Sequence, residues 1–153
     1  MAIFSFFSRG DFFSEEEKQR IIDAIRASEM RTSGEIRVYI ESRCRFVDPL
    51  DRAAEIFWSM KMDHTKEHNA ILVYVAVRDH QYAIFADKAI HEKVGGAFWN
   101  DEVKAMYRHF KQNHIADAIA QVITDVGQAL HQHFPYDKSI DKNELPDEIV
   151  FGK

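Results

Sequence analysis

The sequence predicts an α/β protein, a three-layer α/β/α sandwich around a small mixed β-sheet. Three observations carry that prediction. An alternating stretch, GEIRVYIES, follows a capped helical segment. Eight consecutive apolar residues, Ala70 to Val77, are rich in β-branched types and bounded by polar ones. Two further segments with helical spacing complete the pattern. Strands interleaved with helices in this way form a sheet covered on both faces.

Ser14 followed by Glu17 is a capping box, and Glu15 and Glu16 suit the positive end of the helix dipole. The helix that it opens carries Ile21, Ile22, Ile25 and Met30 and should end near Thr32-Ser33-Gly34. In the first strand Ile36, Val38 and Ile40 face one way, and Arg37, Tyr39 and Glu41 the other. Asp48 caps a second helix with Pro49 at its first position, and Leu50, Ala53, Ala54, Phe57 and Trp58 keep the spacing of a buried face. AILVYVAV then reads as a central strand, since it has no polar face to give to solvent. Arg78 to Gln81 turn the chain into a third, antiparallel strand, Tyr82 to Ala86. Val103, Met106, Tyr107 and Phe110 line one closing helix, and Ile115, Ile119, Val122, Ile123, Val126 and Leu130 the other. Residues 1–13 are expected to form an aromatic arm that packs on the domain, 14–134 the domain itself, and 135–153 an acidic, turn-like tail.

Length and composition set bounds on function. A chain of 153 residues is one ordinary domain with room for a core. Its net charge of −5 gives no basic footprint for nucleic acid, whereas cations suit a mildly acidic surface. Cys44, the single cysteine, has no disulfide partner within the chain, as expected of a reducing, cytoplasmic setting. The opening MAIFSFFSRGDFF lacks a basic n-region, and its apolar run is broken by Arg9, Gly10 and Asp11. No stretch reaches the roughly 18 apolar residues of a membrane helix, so no membrane insertion is expected.

Residues 64–68, HTKEH, spell an inverted zinc-protease motif. That chemistry needs both imidazoles and the glutamate on a helix that continues in both directions. Here a strand begins two residues after His68, so the stretch is expected to be a polar connection with solvated histidines. His131 and His133 point to different sides of a helix, and the tail lacks the glycine of a calcium-binding EF-hand loop. Neither a Gly-rich phosphate loop nor a Ser-His-Asp elbow is visible.

The polar residues sort to two opposite ends of the sheet. Where strands 1 and 2 finish, Glu41, Asp48, Asp51 and Asp79 are matched by arginines, which reads as ion pairing. Where they begin, Glu35, Asn69, Asp87, Glu92 and Asp101 arrive from separate elements, with Asp87 closing strand 3 and Asp101 expected at a helix start. Oxygen ligands without clustered cysteine or histidine suit calcium or magnesium. These five residues are the expected metal site. Two other readings are a weak metal-assisted phosphomonoesterase, with Lys88 or Lys93 nearest for the phosphate, and a non-catalytic adaptor that docks a protein partner.

The order of elements, with SGEI at Ser33–Ile36 and a strand-RDH-strand hairpin, resembles the TPM domain, from about Phe12 to Phe134. The resemblance implies an α/β/α sandwich, divalent-cation binding and, in some plant members, an acid phosphatase. It resembles a shorter, free-standing bacterial subgroup. Glu35 and Asn69 match the family pattern, whereas the glycine-rich stretch usual after the third strand reads here Ala86-Asp87-Lys88-Ala89-Ile90-His91-Glu92.

Overall fold

A computed structural model describes residues 13–110, 114–136 and 149–152. Its elements are α1 (Glu15–Glu29), β1 (Glu35–Glu41), α2 (Pro49–Ser59), β2 (Ala70–Ala76), β3 (Gln81–Ala86), α3 (Lys88–Val94), α4 (Gly96–Phe110), α5 (Ile115–His133) and β4 (Ile149–Phe151). The sheet order is β3-β2-β1-β4. β1 runs parallel to β2 and to β4, and β2 antiparallel to β3, so the sheet is mixed.

The expected caps are present. Ser14 and Glu17 bond reciprocally at the start of α1, and the Asp48 side chain accepts from the Leu50 amide at the start of α2. β2 is buried along its whole length and lies between β1 and β3. The alternation of β1 divides the interior. Ile36, Val38 and Ile40, with Ile71, Val73 and Val75, pack against side chains of α1, α3, α4 and α5. Ala70, Leu72 and Tyr74 pack against Ala53, Ile56 and Phe57 of α2. Helices thus cover both faces, and the three-layer expectation holds.

Two expectations need correction, and a third is met in part. Ile149–Phe151, placed by the sequence reading in an acidic tail, form β4 against Val38–Ile40, with Ile149 and Phe151 buried. Phe13, the one residue of the expected arm that is described, is buried in the core, as an arm packed on the domain requires, and residues 1–12 lie outside the described residues. The chain after β3 makes three helices rather than two. The extra one, α3, is short, is capped by Asp87, and ends at Gly95, whose positive φ of 86° suits a residue without Cβ. As a result α4 begins at Gly96, and Asp101 lies in its second turn rather than at its start.

Candidate functional site

Strand register brings three of the five expected residues to one end of the sheet. Glu35 is opposite Ala70, and Ile71 opposite Ala86, so Glu35, Asn69 and Asp87 belong to adjacent strand ends. All three are buried. Adjacent strands are about 4.8 Å apart, which puts the backbones at Glu35 and Asp87 roughly 10 Å apart across β2.

A carboxylate withdrawn from water needs donors, and Asp87 has them. One oxygen accepts from the Lys88 amide at 2.8 Å, at the N-terminus of α3, and the other lies 3.3 Å from His68 Nδ1. Its own amide bonds Ala70 O at 2.9 Å, which ties α3 to the end of β2. Asn69 is 1 % exposed. Its Nδ2 donates to Ser33 Oγ and to Glu67 Oε2, each at 3.2 Å, while the Ser33 hydroxyl donates to Glu67 Oε2 at 2.5 Å. Both partners accept from Nδ2, which fixes the orientation of the amide. The other atom of that amide, Oδ1, is buried and has no hydrogen-bond partner among the described residues. Gly34 completes the arrangement. A Cβ there would stand 3.1 Å from the Asn69 carbonyl oxygen and 2.6 Å from a Leu130 methyl, so only glycine lets β1 start this close to β2 and α5. The Ser33-Gly34-Glu35 sequence therefore has a local physical reason.

HTKEH behaves only partly as expected. Residues 64–68 form no helix, so the protease geometry is absent. They are nevertheless not simply solvated. His68 faces Asp87 and its carbonyl accepts from the Ala89 amide at 3.1 Å, Glu67 holds Ser33 and Asn69, and Thr65 is buried. A short connection can still contribute to a site when it leads directly into a central strand.

Glu92 and Asp101 do not join this group. Both are exposed, on α3 and α4. Asp101 instead adds its charge to a carboxyl pair that the sequence reading missed. Burial, a hydrogen bond with Asp125 and the charges of Asp125 and Asp101 together push Glu102 up to about 8. Among the described residues, no three His, Cys, Asp or Glu side chains stand together as a metal cluster. Any ion at the sheet end would therefore rest on amide, hydroxyl and carbonyl oxygens as well as carboxylates, a donor set for a hard cation with several waters. Of the lysines named for a phosphate, Lys93 Nζ lies over the Phe134 ring, 5.8 Å from its centroid, and Lys88 is exposed.

At the opposite end two of the four carboxylates matched with arginines in the sequence, Glu41 and Asp79, meet one in the structure. Arg52 grips Glu41 through Nε at 2.9 Å and Nη2 at 3.0 Å, and the Tyr74 hydroxyl donates to the same carboxylate. Burial and that bond hold the Tyr74 hydroxyl well above its ordinary range. Asp79 meets Arg43 and the Cys44 amide.

The chain belongs to the TPM domain family, which it matches over residues 7–129. The BA42 protein of the psychrophilic bacterium Bizionia argentinensis is 40 % identical in an NMR structure, with a TM-score of 0.85 over 94 % of this chain and 98 % of that one. The N-terminal domain of cg2496 from Corynebacterium glutamicum, at 19 % identity, shares the fold, with a TM-score of 0.59 over 80 % of this chain and 76 % of that one. No curated protein matches the sequence. Among the described residues no helix is long and apolar enough to cross a membrane.

Proposed function

We propose that this TPM-domain protein is a divalent-cation-binding module, with calcium or magnesium held at the sheet end formed by Ser33, Glu35, Glu67, Asn69 and Asp87. The observation that carries the reading is Asn69 Oδ1, a buried acceptor without a donor among the described residues. An acceptor left in that state costs about 1–3 kcal/mol, and a cation with its waters would remove the penalty. The neighbouring carboxylates of Glu35 and Asp87 supply negative charge, and the oxygen-only set selects a hard ion over zinc.

A titration followed by backbone amide shifts tests the reading. Millimolar calcium, and separately magnesium, should move the amides of residues 33–36, 67–70 and 87–89, while those around Glu41 and Asp79 stay in place. Absence of movement at the first group with either ion refutes the proposal. Shifts confined to Asp101, Glu102 and Asp125 would refute it equally, by assigning cation affinity to the α4–α5 carboxyl cluster.

A further inference from the structure

A groove of about 820 Å³ runs the full length of β3, an outer strand of the sheet. β3 forms its floor, α2 contributes Leu50 and Trp58 to one wall, and α4 contributes Trp99, Val103 and Tyr107 to the other. Leu50, Trp58 and Tyr107 are exposed although large and apolar, at 49 %, 53 % and 37 %. The floor has free bonding capacity. In an antiparallel ladder alternate residues turn their amides and carbonyls away from the partner strand. The Asp87 amide points in, to Ala70 O, and the Tyr82 amide points out, 3.4 Å from the Tyr107 hydroxyl. Ile84 and Ala86 share the parity of Tyr82, so their amides and carbonyls face the groove. Neither has a bonding partner on that side among the described residues. Such an edge accepts an added strand.

We propose that the groove is a strand-accepting site occupied by Ile3–Phe7 of this same chain, added antiparallel to β3. Composition singles out that segment. A strand between two apolar walls must be largely apolar on both of its faces, and Ile3-Phe4-Ser5-Phe6-Phe7 is, with Phe4 and Phe6 on one side and Ile3 and Phe7 flanking the small Ser5 on the other. The other long stretch outside the described residues, DKSIDKNELPDE at 137–148, is highly charged and leads into β4 at the opposite edge of the sheet.

Reach and direction agree with the assignment. α1 and α5 lie side by side in the same direction, since Arg20 pairs with Asp117 and Ser28 bonds Ile123 O. Phe13 therefore stands at the end of the molecule where α5 starts and α4 finishes, and Tyr107 of α4 packs there on Tyr82, at the start of β3. Crossing from α1 past α5 to α4 takes two helix spacings, about 18 Å. The twelve residues before Phe13 reach about 40 Å when extended, which leaves roughly 20 Å, the length of β3. An arm that enters where β3 begins runs against it, and this gives antiparallel pairing.

Amide hydrogen exchange on the full chain tests the proposal, with the double variant Phe4→Asp/Phe6→Asp for comparison. The Ile84 and Ala86 amides should exchange at least about tenfold more slowly in the wild type, and arm phenylalanine rings should show nuclear Overhauser contacts to the Trp58 indole. Unchanged protection of the Val38 and Val73 amides in the variant verifies that its fold is intact. Trp58→Ala, which removes part of one wall, should also release Ile84 and Ala86. Equal exchange in wild type and arm variant overturns the proposal, as does fast exchange of both amides in the wild type. Protection that disappears on tenfold dilution overturns it as well, by assigning the groove to the arm of a second copy.

Discussion

Asp87 caps α3 and, in the proposed site, would also be a ligand of the cation; two substitutions tell these roles apart. As the N-cap of α3 it accepts a backbone hydrogen bond, which Asn retains and Ala does not. Loss of an N-cap costs about 1 kcal/mol, and the contact with the half-exposed His68 ring adds at most about 1 kcal/mol. In chelator, Asp87→Ala should therefore lose about 1–2 kcal/mol. At about 2–4 °C per kcal/mol for a protein of this size, that is a fall in Tm of about 2–8 °C. Asp87→Asn keeps the cap and should lie within about 2–3 °C of wild type. Calcium or magnesium at ten times its Kd would add RT ln 11, about 1.4 kcal/mol, to the wild type, or about 3–6 °C. Neither variant should gain as much, because each lacks the carboxylate. The assay is a thermal melt of the three proteins in chelator and then in millimolar cation. Equal cation gains in wild type and Asp87→Asn would remove Asp87 from the ion's ligands. An unshifted Asp87→Ala in chelator would refute the capping argument.

Two further outcomes concern packing and pH. Glu102 holds its proton in the folded protein up to about pH 8 but gives it up near 4.5 when unfolded, so the native state binds more protons in that interval and stability falls as pH rises through it. Glu102→Gln should flatten the decline between pH 5 and 8 and gain about 1–2 kcal/mol at pH 8, a figure discounted for solvent around the pair; urea midpoints with the same slope against pH in both proteins would contradict this. Gly127→Ala should destabilise by about 1–3 kcal/mol despite the better helix propensity of Ala, because its Cβ would stand 2.3 Å from Ser28 Oγ and 2.5 Å from Ser28 Cβ and force α1 from α5. A raised urea midpoint for this variant would show that the two helices separate at little cost.

The parts of the fold that were legible in the sequence are those with a period or a cap. AILVYVAV, the Ser14/Glu17 box and Asp48-Pro49 each carry a local physical reason that tertiary packing does not override. β4 has none. Three apolar residues after a charged stretch show no alternation, and only pairing with Val38–Ile40 makes them a strand. α3 had a weak signal, an Asp before Ile90 and Val94 four apart with Gly95 beyond. Missing it displaced Asp101 from the expected site, since the chain spends an extra helix before α4 begins. Glu35, Asn69 and Asp87 share one end of the sheet because strand ends are determined by register, which hydrophobic pattern conveys. The bond-free Asn69 oxygen, the role of His68 and the Glu102–Asp125 pair depend on rotamers and helix packing, and linear order does not carry that information.

The pairing of β4 with β1 joins segments about a hundred positions apart, so it must wait for the intervening chain to be organised before its loop-closure entropy is recovered. Without this contact β1 would present an open backbone edge at Val38–Ile40, on a strand of strong β character. In the folded state the short strand thus covers an edge that would otherwise be open to intermolecular pairing. A cut anywhere in residues 137–148 would turn that strand into a dissociable peptide, and the tendency of the nicked protein to self-associate would then rise steeply with its concentration.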